Sequence, residues 1–298
     1  MASNVHSAST VGIRTLTTRR PHFEYGERLS QRHFVGGDLL SSHLFAVLST
    51  LIPEGERFVV DAVKRYRTDV DDPVLKKQAN ALVGQESMHQ REHERLNEVL
   101  GRMGYPTWII GWLGTPWAVV GRRFAQPTQL AASAAIEHWT AVLSEQALEQ
   151  RRARPGAGPL GGDEEVQAFV TWHYIEEIEH KSVAFDVMQS LGATEEQRID
   201  AMKHLIRLMA PLLGVSMVVS LAADPAAWNP WNLWRSLQWM RTNHTIGQQG
   251  FMDAISEWDR EGFHPDQRDH GALLAYWQAE AFGEGSIVER RSQRGVCA

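Results

Sequence analysis

The sequence predicts an all-α fold, a four-helix bundle extended by additional C-terminal helices. Three observations predict it. Apolar residues recur at helical spacing nearly everywhere, no stretch alternates convincingly as a strand would, and a Glu-x-x-His unit occurs on each of two long helices. With 298 residues, 43% of them hydrophobic, the chain can bury a large core, and no internal repeat is evident.

The opening "MASNVHSASTVGIRTLTTRR" is Ser/Thr-rich and lacks the apolar stretch of a secretory signal, so residues 1–33 are expected to form a flexible tail. The bundle is expected over residues 34–192. Its first helix runs from about Leu39 to Tyr66, with Leu44, Val47, Leu51, Phe58, Val59 and Ala62 on one stripe and a kink at Pro53. Asp72 and Pro73 supply the cap and first turn of the second, which continues through Glu86 and His93 to about Leu100 and stops at Gly101 and Gly104.

A Gly/Pro/Trp-rich stretch, "GRMGYPTWIIGWLGTPWAVVGRR", reads as a long connection to a third helix over about 127–150. After the flexible loop "RARPGAGPLGG", a fourth begins at Asp163 or Glu164 and ends near Leu191 and Gly192. Residues 193–298 are expected to add helices packed on the bundle in the same domain, the first starting at a capping box, Thr194 with Gln197. The most apolar run, Leu208 to Ala223, is short for a bilayer crossing and contains Pro211, so it is expected to be a buried or groove-lining helix and not a membrane span. The Trp-rich segments, with Trp108, Trp112 and Trp231, are expected to supply core or packing anchors.

A net charge of −6 without a long basic run argues against a nucleic-acid partner. The only cysteine, Cys297, rules out an internal disulfide framework and fits a reducing cytoplasm.

In "GQESMHQREH", Glu86, His89 and His93 are three and four residues apart, which puts all three side chains in one sector of a helix turning about 100° per residue. "HYIEEIEHKSVAFD" repeats the device with Glu177 and His180, and His173 points toward the same sector; Glu176 is close enough in projection to stay an alternative. In dinuclear carboxylate bundles, two helices each give a Glu and two each give a Glu-x-x-His pair. The other helices offer Glu137, set among small Ala134, Ala141 and Ser144, and either Glu54 or Glu56 in "PEGERF". Four carboxylates with one imidazole per ion suit Fe(II) or Mn(II), whereas a lone terminal cysteine excludes thiolate-bound zinc. His93 and His173 stand as donors or as supports, and His43, His138 and His204 read as structural.

"PEGERF", "GQESMHQREHERLN", "AAIEHWTAVLSEQ", "WHYIEEIEHKSVAFD" and "GFHP", spread over roughly Phe34 to Trp277, resemble the bacterial ferritin-like family of predicted metal-dependent hydrolases. Some members look like non-heme diiron monooxygenases, including the diterpenoid-CoA hydroxylase of platensimycin and platencin biosynthesis. The resemblance implies metal roles for Glu56, Glu86, His89, Glu137, Glu177 and His180, with His93 as an additional ligand. It departs at "ERFVV", where a second aromatic is expected after Phe58.

The activity expected from the two readings together is hydroxylation of an apolar small molecule, coenzyme A-linked where the resemblance extends to substrate. Two Fe ions, or Mn in their place, would act with O2 and an electron-donating reductase or ferredoxin. Thr140, three residues after Glu137, is placed to hydrogen-bond an oxygen species at the metal. The alternatives are a dinuclear hydrolase of an ester, amide or thioester, and an iron-binding or ferroxidase protein. A homodimer is the default assembly.

Overall fold

The computed structural model describes residues 16–25, 29, 31–153, 163–242 and 249–294. It is all-α, with no strand among the described residues. In chain order the helices are α1 (Leu39–Tyr66), α2 (Pro73–Arg102), α3 (Thr107–Gly121), α4 (Gln126–Ala153), α5 (Glu164–His180), α6 (Val183–Ser190), α7 (Glu195–Ala222), α8 (Pro230–Thr242), α9 (Gln249–Ser256), α10 (Gly271–Phe282) and α11 (Ile287–Arg294).

Local chemistry sets these boundaries. The side chains of Asp38, Asp72 and Asp163 accept backbone N–H groups at the starts of α1, α2 and α5, and Pro73 occupies a first-turn position that needs no donor. Thr194 and Gln197 form the reciprocal capping box that begins α7. Gly104, at φ +93°, takes the left-handed conformation just past α2.

The bundle proper is α1, α2, α4 and α5, with α6 continuing α5 after a turn at Lys181 and Ser182. The expected single fourth helix is therefore two. Lys181 is buried there, and its ammonium donates to the Arg268 carbonyl at 2.6 Å.

The Trp-rich connection is corrected more substantially, because α3 is a helix. It packs along α1 through Ile110 against Val47 and Leu51, and a Cβ on Gly114 would stand 3.1 Å from Leu51 Cδ2. Small residues at that contact let the two backbones approach, so their glycine content serves packing here as well as turning.

The expected tail over 1–33 is also corrected from residue 16 onward; residues 1–15, like residues 154–162 and Cys297, lie outside the described residues. Residues 16–25 run extended along α2 and α5. Phe23 is fully buried, 5.7 Å from Phe169 and 5.8 Å from Trp172 between ring centroids, and Tyr25 packs beside it. A Cβ on Gly84 would meet the Thr18 hydroxyl at 2.6 Å, so the strap crosses α2 where a side chain is missing.

The apolar run in α7 is neither buried nor simply groove-lining. Ser216 and Ser220 face inward and Leu212, Leu213 and Met217 pack on α1 and α3, while Val215 and Val218 are exposed. The tryptophans divide likewise. Trp172 and Trp258 are core, whereas Trp108, Trp112 and Trp231 are mostly exposed and so are not the core anchors expected.

Candidate metal centre

Each bundle helix contributes acidic or imidazole groups to one buried point. Glu56 comes from α1, Glu86 and His89 from α2, Glu137 from α4, and His173, Glu177 and His180 from α5. They form two adjoining groups. Glu86, Glu137, Glu177 and His180 bring one donor atom each within 4.8 Å of one another, and so do Glu56, His89 and His173.

Glu86 and Glu177 stand between the groups. His180 Nε2 is 3.0 Å from Glu86 Oε1, 3.0 Å from Glu137 Oε2 and 3.6 Å from Glu177 Oε2. On the other side, His89 Nδ1 is 3.3 Å from Glu177 Oε1 and 3.8 Å from Glu86 Oε1, and His173 Nε2 is 2.8 Å from Glu177 Oε1 and 3.8 Å from Glu56 Oε1.

Most of these atoms meet at ion-pair distance but outside hydrogen-bonding geometry. Both Glu56 oxygens, Glu86 Oε1, His89 Nδ1, Glu137 Oε2 and His180 Nε2 are buried without a hydrogen-bond partner. Orphaned polar atoms cost roughly 1–3 kcal/mol each, so six converging on one point are not explained by folding stability. They fit a pair of divalent cations.

Protonation follows from the crowding. Burial pushes Glu56 well above the usual carboxylate range and the Glu86 charge adds to it; burial lifts Glu137 to about 8 against the attraction of His180. Burial disfavours charge on His89 and His180 too. The hydrogen bond to Glu176 and the close Glu177 carboxylate nevertheless lift His89 to about 10, and Glu137 and Glu177 raise His180 well above its ordinary value. Burial opposes the Glu177 charge, but His180, His173 and His89 hold it well below the carboxylate range. Protons here do what cations would do.

The far side of each imidazole is held so that a bare nitrogen faces the centre. His180 Nδ1 is 3.2 Å from Gln85 Oε1, an acceptor, so the proton sits on Nδ1 when Nε2 binds a metal. His89 Nε2 similarly donates to Glu176 Oε2 at 3.1 Å.

His173 is oriented by a longer chain. The Ser49 hydroxyl donates to Asn97 Oδ1 at 2.8 Å and accepts from His93 Nδ1 at 2.9 Å; His93 Nε2 then accepts from His173 Nδ1 at 3.0 Å. With a metal bound, that order leaves His173 Nε2 unprotonated and aimed at the centre; without one, the same nitrogen faces Glu177 Oε1 at 2.8 Å. Burial and the neighbouring imidazoles keep both histidines neutral, as the order requires.

The structure thus places His173 in the inner group and His93 one bond behind it, with His93 Nε2 4.0 Å from Glu56 Oε1. Glu54 turns away to pair with Arg57 at 2.7 Å, and Glu176 lies behind His89, paired with Arg19 at 2.8 Å. Thr140 lines the adjoining cavity, with its hydroxyl donating to the Glu137 carbonyl at 3.1 Å.

Sequence reasoning did not find Arg19, Gln85, Ser49 or Glu179. Gln85 was legible as the neighbour of Glu86 in "GQE"; Arg19, which reaches Glu176 and Glu179 at 2.8 and 2.9 Å from outside the helical pattern, was not.

A third group, His33, His43 and Asp224, lies at the end of α7. Arg32 Nε is 3.1 Å from Asp224 Oδ2 and the Ala226 N–H donates to Oδ1, so a guanidinium already supplies the cation. His43 also bonds Ser220 at 2.7 Å, consistent with a structural role.

The cavity reaching the metal centre is apolar. Leu48, Leu51, Ile52, Val59, Trp117, Ile136, Trp139, Leu205 and Met209 form its walls, and Glu56, Glu86, Glu137 and Glu177 its polar end. Val59, where the resemblance leads one to expect an aromatic, is part of that wall.

A family model described as predicted metal-dependent hydrolase matches residues 17–269. The chain belongs to this family. Neither a curated protein nor a solved structure matches it. The matched span begins inside the N-terminal strap and contains every member of the two donor groups, so membership covers the strap as well as the bundle. For a metal-dependent family, the orphaned donors between α1, α2, α4 and α5 are the natural place for the metal.

Proposed function

We propose that the protein is a non-heme diiron monooxygenase that hydroxylates an unactivated C–H bond of an apolar small molecule. The observation that carries this reading is the placement of two carboxylate-sharing donor groups at the end of a cavity with almost entirely apolar walls. Glu137 and His180 would hold one ion and Glu56, His89 and His173 the other, with Glu86 and Glu177, which stand between the two groups, available to both. When bound, an iron pair supplies reductive activation of O2: one oxygen atom enters the C–H bond and the other leaves as water, with two electrons and two protons drawn from an external reductase or ferredoxin.

The chain's own contribution is orientation and exclusion. Gln85, Glu176 and the Ser49–His93 chain fix which imidazole nitrogen faces the metals. The walls from Leu48 to Met209 hold an apolar substrate by burial and keep water from the reacting carbon. They contain no basic residue, so the reading commits to the apolar part of the substrate and not to a coenzyme A carrier.

The family description favours a second reading, in which the same ions activate water against an ester, amide or thioester. One experiment separates them. The purified chain is loaded anaerobically with Fe(II), Mn(II) or Zn(II), its metal content is measured, and O2 uptake with a chemical reductant is compared with release of acyl groups from apolar esters and thioesters. Reductant-dependent O2 uptake confined to the iron form, quickened by apolar aliphatic compounds, supports the oxygenase. Ester or thioester cleavage with Zn(II) or Mn(II) in the absence of O2 supports the hydrolase. Glu86→Ala should lose at least one ion per chain in every case.

A further inference from the structure

The chain presents a large apolar face that none of the described residues covers. It is built by α3, the C-terminal half of α7, the turn Pro225–Trp228 and α8; α3 packs on α7, and the turn joins α7 to α8. Trp108 is 79% exposed, Trp112 69%, Val218 68%, Trp228 71% and Trp231 59%. Trp231 stacks on Trp234 at 4.7 Å, making a paired indole surface on α8. By length and composition α7 is apolar enough to cross a bilayer, yet only 11% of its most apolar window is buried. Soluble surfaces rarely carry a contiguous apolar area of this kind without an occupant.

Charge identifies the occupant. The protein as a whole carries −6, but residues 103–136, 201–223 and 225–252 contain no Asp or Glu. Within those stretches Arg123, Arg207, Arg235 and Arg241 are exposed. Tryptophan with flanking arginine and no acid is the composition that suits the boundary between lipid headgroups and acyl chains. A second copy fits poorly, because a two-fold pairing would press this arginine-bearing, acid-free face against an identical one.

Nor does α7 cross a membrane in this fold. Ser216 and Ser220 are buried against the bundle, and Asp224, just past its end, is tied to Arg32, His33 and His43. The helix lies along the protein with one side facing out.

We infer that this face is a monotopic docking surface for an anionic lipid bilayer. Its position gives the docking a use, which rests on the reading proposed above: Trp117 of α3 and Leu205 and Met209 of α7 line the cavity to the metal centre. The two helices that meet lipid on one side therefore form the cavity wall on the other, and an apolar substrate dissolved in the bilayer has the shortest route in.

The test is flotation of the full chain with vesicles of phosphatidylcholine alone and of phosphatidylcholine mixed with phosphatidylglycerol. It needs neither metal nor turnover, so its failure is separate from failure of the oxygenase reading. The wild-type chain should float with the mixed vesicles and more weakly with phosphatidylcholine. Trp112→Glu with Trp231→Glu should weaken partitioning at least about tenfold on both.

Arg207→Gln with Arg235→Gln and Arg241→Gln should weaken it roughly 100-fold on the anionic vesicles only, at about fivefold per arginine. Lys77→Gln with Arg91→Gln, on α2, should change nothing. Circular dichroism and melting confirm that each variant is folded. Wild-type protein remaining unbound with both vesicles would overturn the inference. So would flotation indifferent to the arginines, or tryptophan variants that split a dimer in sedimentation without altering flotation.

Discussion

Replacing Glu137 by Gln should have opposite effects on stability in the metal-free and metal-loaded protein. The Glu137 side chain is 2% exposed, and burial raises it from 4.5 to about 8 even though His180 attracts its charged form. Because the folded value lies above the unfolded one, the unfolded chain releases this proton first. The group therefore costs nothing below pH 4.5, and its cost grows as the pH rises from there toward 8. At about 1.4 kcal/mol per tenfold change, the interval from 4.5 to pH 7 amounts to on the order of 3 kcal/mol.

Gln has no proton to lose, so the metal-free variant should gain up to that amount, less what His180 loses with its partner. With about 2 °C per kcal/mol for a chain of this size, the metal-free melting temperature should rise by roughly 5 °C. The loaded protein behaves oppositely. Ions that bind only the native state add about 4 kcal/mol at a thousandfold excess over Kd, and removing a donor forfeits part of that. Calorimetry at pH 7 with chelator and with excess Mn(II) reads both signs. Equal destabilisation in the two conditions would refute the reasoning, because it would make Glu137 an ion-pair partner of His180 and nothing more.

Ser49→Ala removes the acceptor of His93 Nδ1 and frees the proton order that presents His173, so affinity for the second ion should fall about 10–100-fold by metal titration while the fold is kept. Phe23→Ala should cost about 3–5 kcal/mol in urea unfolding, because the ring is wholly buried in the core; a flexible tail would show no loss. His138, buried beside Trp258 with Nε2 on the Ala254 carbonyl, is depressed from 6.5 to about 4. The unfolded chain protonates first, so stability should fall between pH 6.5 and 4 by on the order of 3 kcal/mol, and His138→Gln should flatten that fall in acid unfolding.

Where one side of a helix met solvent, the sequence was informative. The stripe from Leu44 to Ala62 marks α1, and Asp72-Pro73 and Thr194 mark two helix starts, because capping chemistry is local. α3 was hidden because its glycines and prolines weigh against helix, while the contact with Leu51 that rewards Gly114 is distant in sequence. The strap has no periodicity to read, and its burial depends on rings of α5.

At the site, spacing brought Glu86, His89, Glu177 and His180 to one side of their helices but left Glu54 against Glu56 and Glu176 against Glu177 open. Partners distinguish these pairs in the structure: Glu54 has Arg57 three residues on, a signal present in the sequence, whereas Glu176 has Arg19 from the strap. α5 itself is buried on nearly all sides, so it carries no amphipathic stripe that could reveal which carboxylate faces inward.

The balance of buried charge limits how the centre fills. Glu56, Glu86, Glu137 and Glu177 bring four negative charges when ionised, and His89, His173 and His180 bring none when each presents a bare nitrogen. Two divalent ions neutralise the set, whereas one ion leaves two uncompensated charges on buried carboxylates, a costly state. Protons must cover the shortfall in a half-loaded chain, and raised Glu56 and Glu137 are the carboxyls able to hold them. Binding of the second ion then completes a neutral core that the first cannot make alone. Titration with Mn(II) at pH 7 should therefore proceed to two ions per chain with no plateau at one, releasing protons as it goes. A stable one-ion form reached without proton release would show that Glu56 and Glu137 hold no protons in the empty centre.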